Sequence, residues 1–231
     1  MSLTHDTRIG LLLFPKLTQL DFTAPFELLS KVPDARVYAV ARQRGAVSSD
    51  CGLALVADTD FDGCPDLDVL FVPGGPGVND VLQDAPTMAF VRRQGQGAGL
   101  VTSVCTGSLV LAAAGLLDGY RAGCHWASRE LLACFGVQAD AARVVVDRNR
   151  ITGGGVTAGL DFGLSVIAAL RGEDLARRLQ LMLEYDPKPP FDSGSPATAA
   201  PALVQGMRAA MAPMLAQRRE ACEAAARRLR G

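Results

Sequence analysis

"GLVTSVCTGSLVLAAAGLL" runs from Gly99 to Leu117 and sets a polar cluster, Ser103-Val104-Cys105-Thr106-Gly107, between two apolar runs of different character. The first run, 99–104, is short and partly β-branched, as in a strand covered on both faces. The second, 106–117, is longer and rich in leucine and alanine, as in a helix. The junction therefore reads as a strand-to-helix elbow with a thiol at its tip. The alternation continues outward. "RIGLLLF" (8–14), "RVYAVA" (36–41), "DVLFVP" (68–73) and "RVVVD" (143–147) predict further strands, and helices are predicted at 24–32, 87–97, 127–135, 156–170 and 173–185. Strand following helix in this rhythm predicts an α/β fold with a doubly wound, mostly parallel sheet flanked by helices.

Composition bounds the function. At 231 residues and 49% apolar content the chain can bury a sizeable core. With 23 basic and 24 acidic residues the formal charge is −1, so no global field draws it to nucleic acid or an anionic membrane. The first residues lack the basic flank and cleavage site of a secretory signal. The longest nearly uncharged run, 95–117, carries too many polar residues and glycines to span a bilayer. Cysteines at 51, 64, 105, 124, 134 and 222 form no C-x-x-C pair and read as reduced thiols of a cytoplasmic protein. Two histidines, His5 and His125, are too few for a zinc site of the usual spacings, so no metal is expected.

Residues 186–200, "DPKPPFDSGSPATAA", hold four prolines in a polar setting and predict an extended arm or linker. The remainder, 201–231, is helical by composition, with an interruption expected near Pro213. Its arginines crowd the last turns, where the helix dipole favours cations, and read as a solvated or dimer-packing face rather than a nucleic-acid contact. Two segments result: 1–185, and an arm with a C-terminal helix, 186–231, packing on the first or on a dimer partner.

In open α/β sheets ligands gather at the carboxyl ends of the strands, where Cys105 falls. Ser103 and Gly107, two positions to either side, match the tight elbow that lifts a nucleophile out of the backbone, with cysteine in place of serine. A helix amino terminus there is expected to lower the thiol pKa. A free cysteine is commonly a small buried hydrophobe, and the other five are read that way. In "FPKLTQLDFTAPFELL", Asp21 is expected in the loop after the first strand, before a helix starting near Pro25. Leu20 and Phe22 beside it would raise its carboxyl pKa and let it carry a proton. Glu27 is a reserve candidate. "FVPGGPGVND" (71–80) ends the third major strand, and Gly74 and Gly75 can approach a ligand and offer N–H groups, with the Thr106 amide, to a developing anion. "ITGGGVTAG" (151–159) meets the dinucleotide fingerprint, but no following strand closes a βαβ unit, so its glycines read as a helix entry near the site.

Taken together, "LTQLDFTAPFELL", "VPGGPG", "SVCTGSLVLAAAGLLDG", "CHWA" and "ITGGGVTAGLDFGLSVI" resemble the PfpI superfamily of class I glutamine-amidotransferase-like domains over about residues 8–185. The tail "EYDPKPPFDSGSP" looks like the one that follows this domain in isocyanide hydratases. The resemblance implies a flavodoxin-like sandwich, a homodimer, a nucleophile at Cys105 and an acid partner at Asp21. Thr106 is expected to act with Asp21, aided by the Gly75 and Thr106 amides, in directing water onto the bound carbon. The resemblance further implies that Gly154 and Val156 border the substrate on a helix entry that shifts when the thiolate is neutralised. The expected activity is cofactor-independent hydration of a small-molecule isocyanide to an N-substituted formamide through a cysteine thioimidate. Thr106 stands where the protease-like branch has histidine, and Asp21 where the glyoxalase-like branch has glutamate. No histidine follows His125, as an amidotransferase requires, and the chain ends before a DNA-binding module of the AraC-type regulators would fit. His125 itself reads as structural. A cysteine-based redox sensor and a glyoxalase- or deglycase-like enzyme stay open as alternatives.

Overall fold

Strands with no exposed face need cover on both sides, and the element order supplies it. The computed structural model describes residues 6–231. Its strands are β1 (Thr7–Leu12), β2 (Ala35–Ala41), β3 (Gly45–Ser48), β4 (Ala54–Ala57), β5 (Thr59–Asp60), β6 (Val69–Val72), β7 (Leu100–Ser103), β8 (Arg121–Ala122), β9 (Gln138–Ala139), β10 (Val144–Asp147) and β11 (Arg150–Gly153). Its α-helices are α1 (Gln19–Leu29), α2 (Val78–Val81), α3 (Ala85–Gly97), α4 (Gly107–Ala113), α5 (Gly159–Arg171), α6 (Glu173–Met182) and α7 (Pro201–Arg230). Seven strands form one sheet in the order β10-β11-β7-β6-β1-β2-β5, parallel except where β10 runs against β11. β3 and β4 make a separate hairpin, and β8 pairs with β9.

All four residues of β6 and all four of β7 are buried, as their unbroken apolar character requires of inner parallel strands. The start of α3 is set by Asp84, whose side chain accepts from the Thr87 N–H at 3.2 Å while a proline occupies the first turn. The core runs through Ile9, Leu11, Leu70, Phe71, Val101, Leu109, Phe162 and Val166.

Register decides what meets at the sheet's carboxyl edge. Val72 pairs with Ser103 and Ser103 with Thr152, so β6, β7 and β11 end level. Gly74–Gly75, Cys105 and Gly153–Gly154 therefore lie side by side. β1 leads into α1 at the same edge.

Several expectations are corrected. The first helix begins at Gln19, not near Pro25, so Asp21 lies in its first turn and Pro25 in its interior. Early placement tolerates the proline, because it removes only one helical hydrogen bond, to the Asp21 carbonyl. Residues 129–135 form a 3-10 helix, and 156–158 a short 3-10 turn leading into α5. The strand beside β7 is β11, part of the glycine-rich stretch, while 144–147 is the antiparallel edge strand. Pro213 does not interrupt α7, which is continuous from Pro201 to Arg230. Burial of Ala221, Cys222, Ala225 and Ala226 holds its second half in place. Residues 186–200 are neither helix nor strand. His5 lies outside the described residues.

Candidate active site

The elbow is a strained one. Cys105 has φ +54°, a left-handed conformation that costs a side-chain-bearing residue about 1–2 kcal/mol and persists only where its surroundings enforce it. They do so here. The Cys105 N–H is shared between the carbonyls of Gly153 and Gly154, at 3.1 and 2.7 Å, and its own carbonyl accepts from the His125 N–H at 3.3 Å. A Cβ on Gly107 would sit 2.1 Å from the Val72 carbonyl oxygen, so only glycine lets α4 start this close to β6.

Asp21 arrives from α1 and is wholly buried. Its Oδ2 accepts the Gly74 N–H at 3.1 Å, whereas Oδ1 has no hydrogen-bond partner among the described residues. The Cys105 thiol is close enough to Asp21 for each group to influence the other's titration, without completing a bond of ordinary geometry to Oδ1. Burial, opposed by these contacts, pushes the Asp21 carboxyl up to about 7.

The thiol also moves upward, and the expected lowering by the helix terminus is overturned. Burial drives the rise, the Asp21 charge adds to it, and the Thr106 N–H directed at the sulfur opposes it. Desolvation at this depth outweighs the stabilisation offered by the start of α4 and the Thr106 N–H. Two buried acids this close titrate as a pair, and the pair begins to lose its first proton near neutrality.

Thr106 and Gly75 face each other. The Gly75 N–H donates to Thr106 Oγ1 at 3.0 Å, and Thr106 Oγ1 donates to the Gly75 carbonyl at 3.4 Å. The diglycine amides are thus engaged: Gly74 holds the carboxyl and Gly75 the threonine, leaving neither as the free anion donor expected from sequence. A Cβ on Gly74 would lie 2.5 Å from the Thr106 nitrogen and 2.8 Å from the Cys105 Cβ.

A cavity of about 420 Å³ is walled by Cys124, His125, Trp126, Arg143, Gly154 and Val156 among others, and two of these, His125 and Gly154, hydrogen-bond the Cys105 backbone. Cys105 is 5% exposed and stands behind the Gly154 wall. A larger cavity, about 620 Å³, lies near Phe14, Arg42 and Asp84; neither cavity is lined by Cys105, Asp21 or Thr106, but only the smaller one includes residues bonded to the Cys105 backbone. His125 is held neutral by burial and by the nearby Arg218 charge, and its Nδ1 accepts from the Ala127 N–H at 3.3 Å. Glu27 is on the outer side of α1, paired with Lys31 at 2.8 Å and away from the thiol. No group of three or more His, Cys, Asp or Glu among the described residues is arranged to hold a metal ion.

Sequence reading missed Arg218. By composition it belongs with the other arginines of the last helix, yet it is buried, and its Nη2 donates to the Gly75 carbonyl at 3.2 Å. Nothing local distinguishes it from its exposed neighbour Arg219. Ser103 and Ser108 were visible as polar residues, but their 2.8 Å hydrogen bond and the link from Ser108 to the Gly123 carbonyl were not.

The molecule is a doubly wound α/β sandwich of flavodoxin-like type, with a cysteine at a strained elbow and a buried carboxyl next to it. The chain belongs to the DJ-1/PfpI family, whose model matches residues 7–169. It is 50% identical to an isonitrile hydratase of Pseudomonas putida over 222 residues, covering 96% of this chain and 97% of that one. A ThiJ/PfpI family protein from Pseudomonas syringae superposes with a TM-score of 0.91 at 46% identity, over 94% of this chain and 90% of the other. The transcriptional regulator GbdR of Pseudomonas aeruginosa is 31% identical over 77% of this chain, which spans half of GbdR.

Proposed function

We propose that the protein hydrates isocyanides to N-substituted formamides, using Cys105 as nucleophile and Asp21 as proton carrier. The observation that carries this reading is Asp21 Oδ1, a wholly buried acid oxygen without a partner, next to the thiol. A buried polar atom left unpaired is costly, and a reacting group between acid and sulfur would satisfy it. The likeness to an isonitrile hydratase over nearly the whole chain supports the same substrate class.

The terminal carbon of an isocyanide accepts a soft nucleophile and a proton at the same atom. With a proton on Asp21, the Cys105 thiolate bonds to that carbon while Oδ1 delivers the proton there, giving a thioimidate and a carboxylate. The Asp21 carboxylate then takes a proton from water as its oxygen bonds to the carbon, and passes that proton to the nitrogen. The remaining hydroxyl proton returns to Asp21 as the carbonyl forms and the carbon–sulfur bond breaks. The formamide leaves, and the thiolate and protonated acid are restored. Covalent catalysis divides the addition into two lower barriers without an organic cofactor or metal. Thr106 fixes the Gly75 backbone and turns its N–H toward sulfur, while Gly154 and Val156 border the approach from the cavity.

A redox sensor would need an exposed, low-pKa thiol. Cys105 is buried rather than exposed, which supports hydration over that reading. No helix among the described residues is long and apolar enough to cross a membrane. The six free thiols fit a reducing, cytoplasmic setting. Exposed Leu181, Met182, Phe191, Leu203 and Met207, along α6, the arm and the start of α7, fit burial in a homodimer. Residues 1–185 make the family domain, and α7 in 186–231 lies against α2, α4 and the 3-10 helix 129–135. An aryl isocyanide incubated with the protein should give the formamide, and Cys105→Ala and Asp21→Asn should abolish turnover. Turnover persisting in Cys105→Ala would remove the mechanism.

A further inference from the structure

Arg218 is a buried cation with which no carboxylate pairs among the described residues. It projects from α7 into the interior and is 4% exposed. Its three hydrogen bonds go to neutral acceptors: Asn79 Oδ1 at 3.0 Å, Ser128 Oγ at 2.9 Å and the Gly75 carbonyl at 3.2 Å. Among the described residues it takes part in no ion pair, whereas the neighbouring Arg219 pairs with Glu130 at the surface. Placing an arginine here therefore costs desolvation that no adjacent anion repays, a cost usually met only where the charge has a use.

Its surroundings show where that use lies. The groups interacting electrostatically with the guanidinium are Cys105, Cys124, Cys222 and His125. Cys124 and Cys222 are neutral thiols, pushed up to about 12 by burial, and His125 is neutral. Arg129 faces Cys124 as a second cation, and Arg219 and Glu223 flank Cys222. Of these groups, only Cys105 belongs to a pair that is anionic near neutrality, the other member being Asp21. Arg218 also reaches that pair structurally. The Gly75 carbonyl it holds belongs to the diglycine whose N–H groups bind Asp21 and Thr106.

We propose that Arg218 is a positioning residue for the Cys105–Asp21 pair: its unpaired charge stabilises the pair with one proton removed, and its fork fixes the diglycine holding the acid. The C-terminal helix, beyond the segment matched by the family model, is thereby part of what makes the thiol reactive. This inference rests on the reading of Cys105 and Asp21 as the reacting pair.

The test follows Cys105 alkylation by iodoacetamide against pH, scored by peptide mass so that the other five thiols do not interfere. In the parent, the rate should rise as the pair loses its first proton, with a midpoint near the Asp21 value of about 7. Arg218→Gln should displace the midpoint upward by about one pH unit, and Arg218→Lys should recover at least half of that displacement. Ser128→Asp leaves the arginine in place but pairs it, and should also move the midpoint upward. A folded Arg218→Gln protein with the parental midpoint, or a lysine variant no closer to the parent than glutamine, overturns the proposal. If Arg218→Gln fails to fold, Ser128→Asp decides alone, and an unmoved midpoint there overturns it. Because no isocyanide enters the experiment, its failure is distinct from a failure to hydrate isocyanides.

Discussion

Gly74 donates its N–H to Asp21 Oδ2 at 3.1 Å and leaves Oδ1 bare, so one backbone group fixes the acid while its other oxygen stays available. The acid is held from the side opposite its chemistry. That arrangement makes the carboxyl's environment measurable.

The buried Asp21 carboxyl titrates near 7 in the fold and near 3.8 in the unfolded chain. Its folded pKa is raised, so the folded state binds the extra proton, and this stabilising contribution is lost as pH rises from about 4 through 7. Asp21→Asn removes the titration. Thermal melts of parent and variant should diverge in the variant's favour with rising pH, by up to about 4 kcal/mol above pH 8. Parallel curves from pH 4 to 8 would show that the carboxyl is not raised.

Gly74→Ala should be severe. The added methyl would overlap the Thr106 nitrogen and the Cys105 Cβ, which are backbone or tightly held atoms, so the elbow must move. A loss of about 2–4 kcal/mol in denaturant unfolding is expected, with a drop in formamide production of at least about 100-fold.

Thr106→Val keeps the shape but leaves the buried Gly75 N–H without its acceptor. It should cost about 1–3 kcal/mol, while Thr106→Ser should restore most of both stability and turnover. Equal stability of the valine variant and the parent would show that the hydroxyl contributes nothing there.

Access to sulfur should depend on the turn at Val156–Ala158. Cys105 is nearly buried, and a Cβ on Gly155 would press to 2.9 Å against the His125 ring. Gly155→Ala should therefore change Cys105 alkylation more for a bulky maleimide than for iodoacetamide, by about tenfold or more. An unchanged ratio between the two reagents would show that this turn does not border the route.

Much of this protein was legible locally. The apolar runs at β1, β6 and β7 announced a doubly wound sheet because burial on both faces leaves no alternation to interpret. The elbow at Cys105 was legible because small residues flank it, and the flanking apolar residues at Asp21 gave the direction of its shift. The start of α1 was misplaced because Pro25 mimics a first-turn proline, although nothing in its neighbourhood forbids an interior position. The thiol's direction was misread because sequence displays the helix that follows but not the depth of burial.

What the sequence determined by itself was the alternation of elements and the chemistry available at each strand end, since periodicity and residue type are properties of neighbours along the chain. Only the tertiary structure decided that Asp21 and Cys105 are buried close enough to shift each other's titration, that the diglycine amides are already engaged, and that Arg218 reaches the site across 143 positions from Gly75. Those outcomes depend on desolvation and on contacts between distant segments. Both are set by how the layers close, which no local pattern encodes.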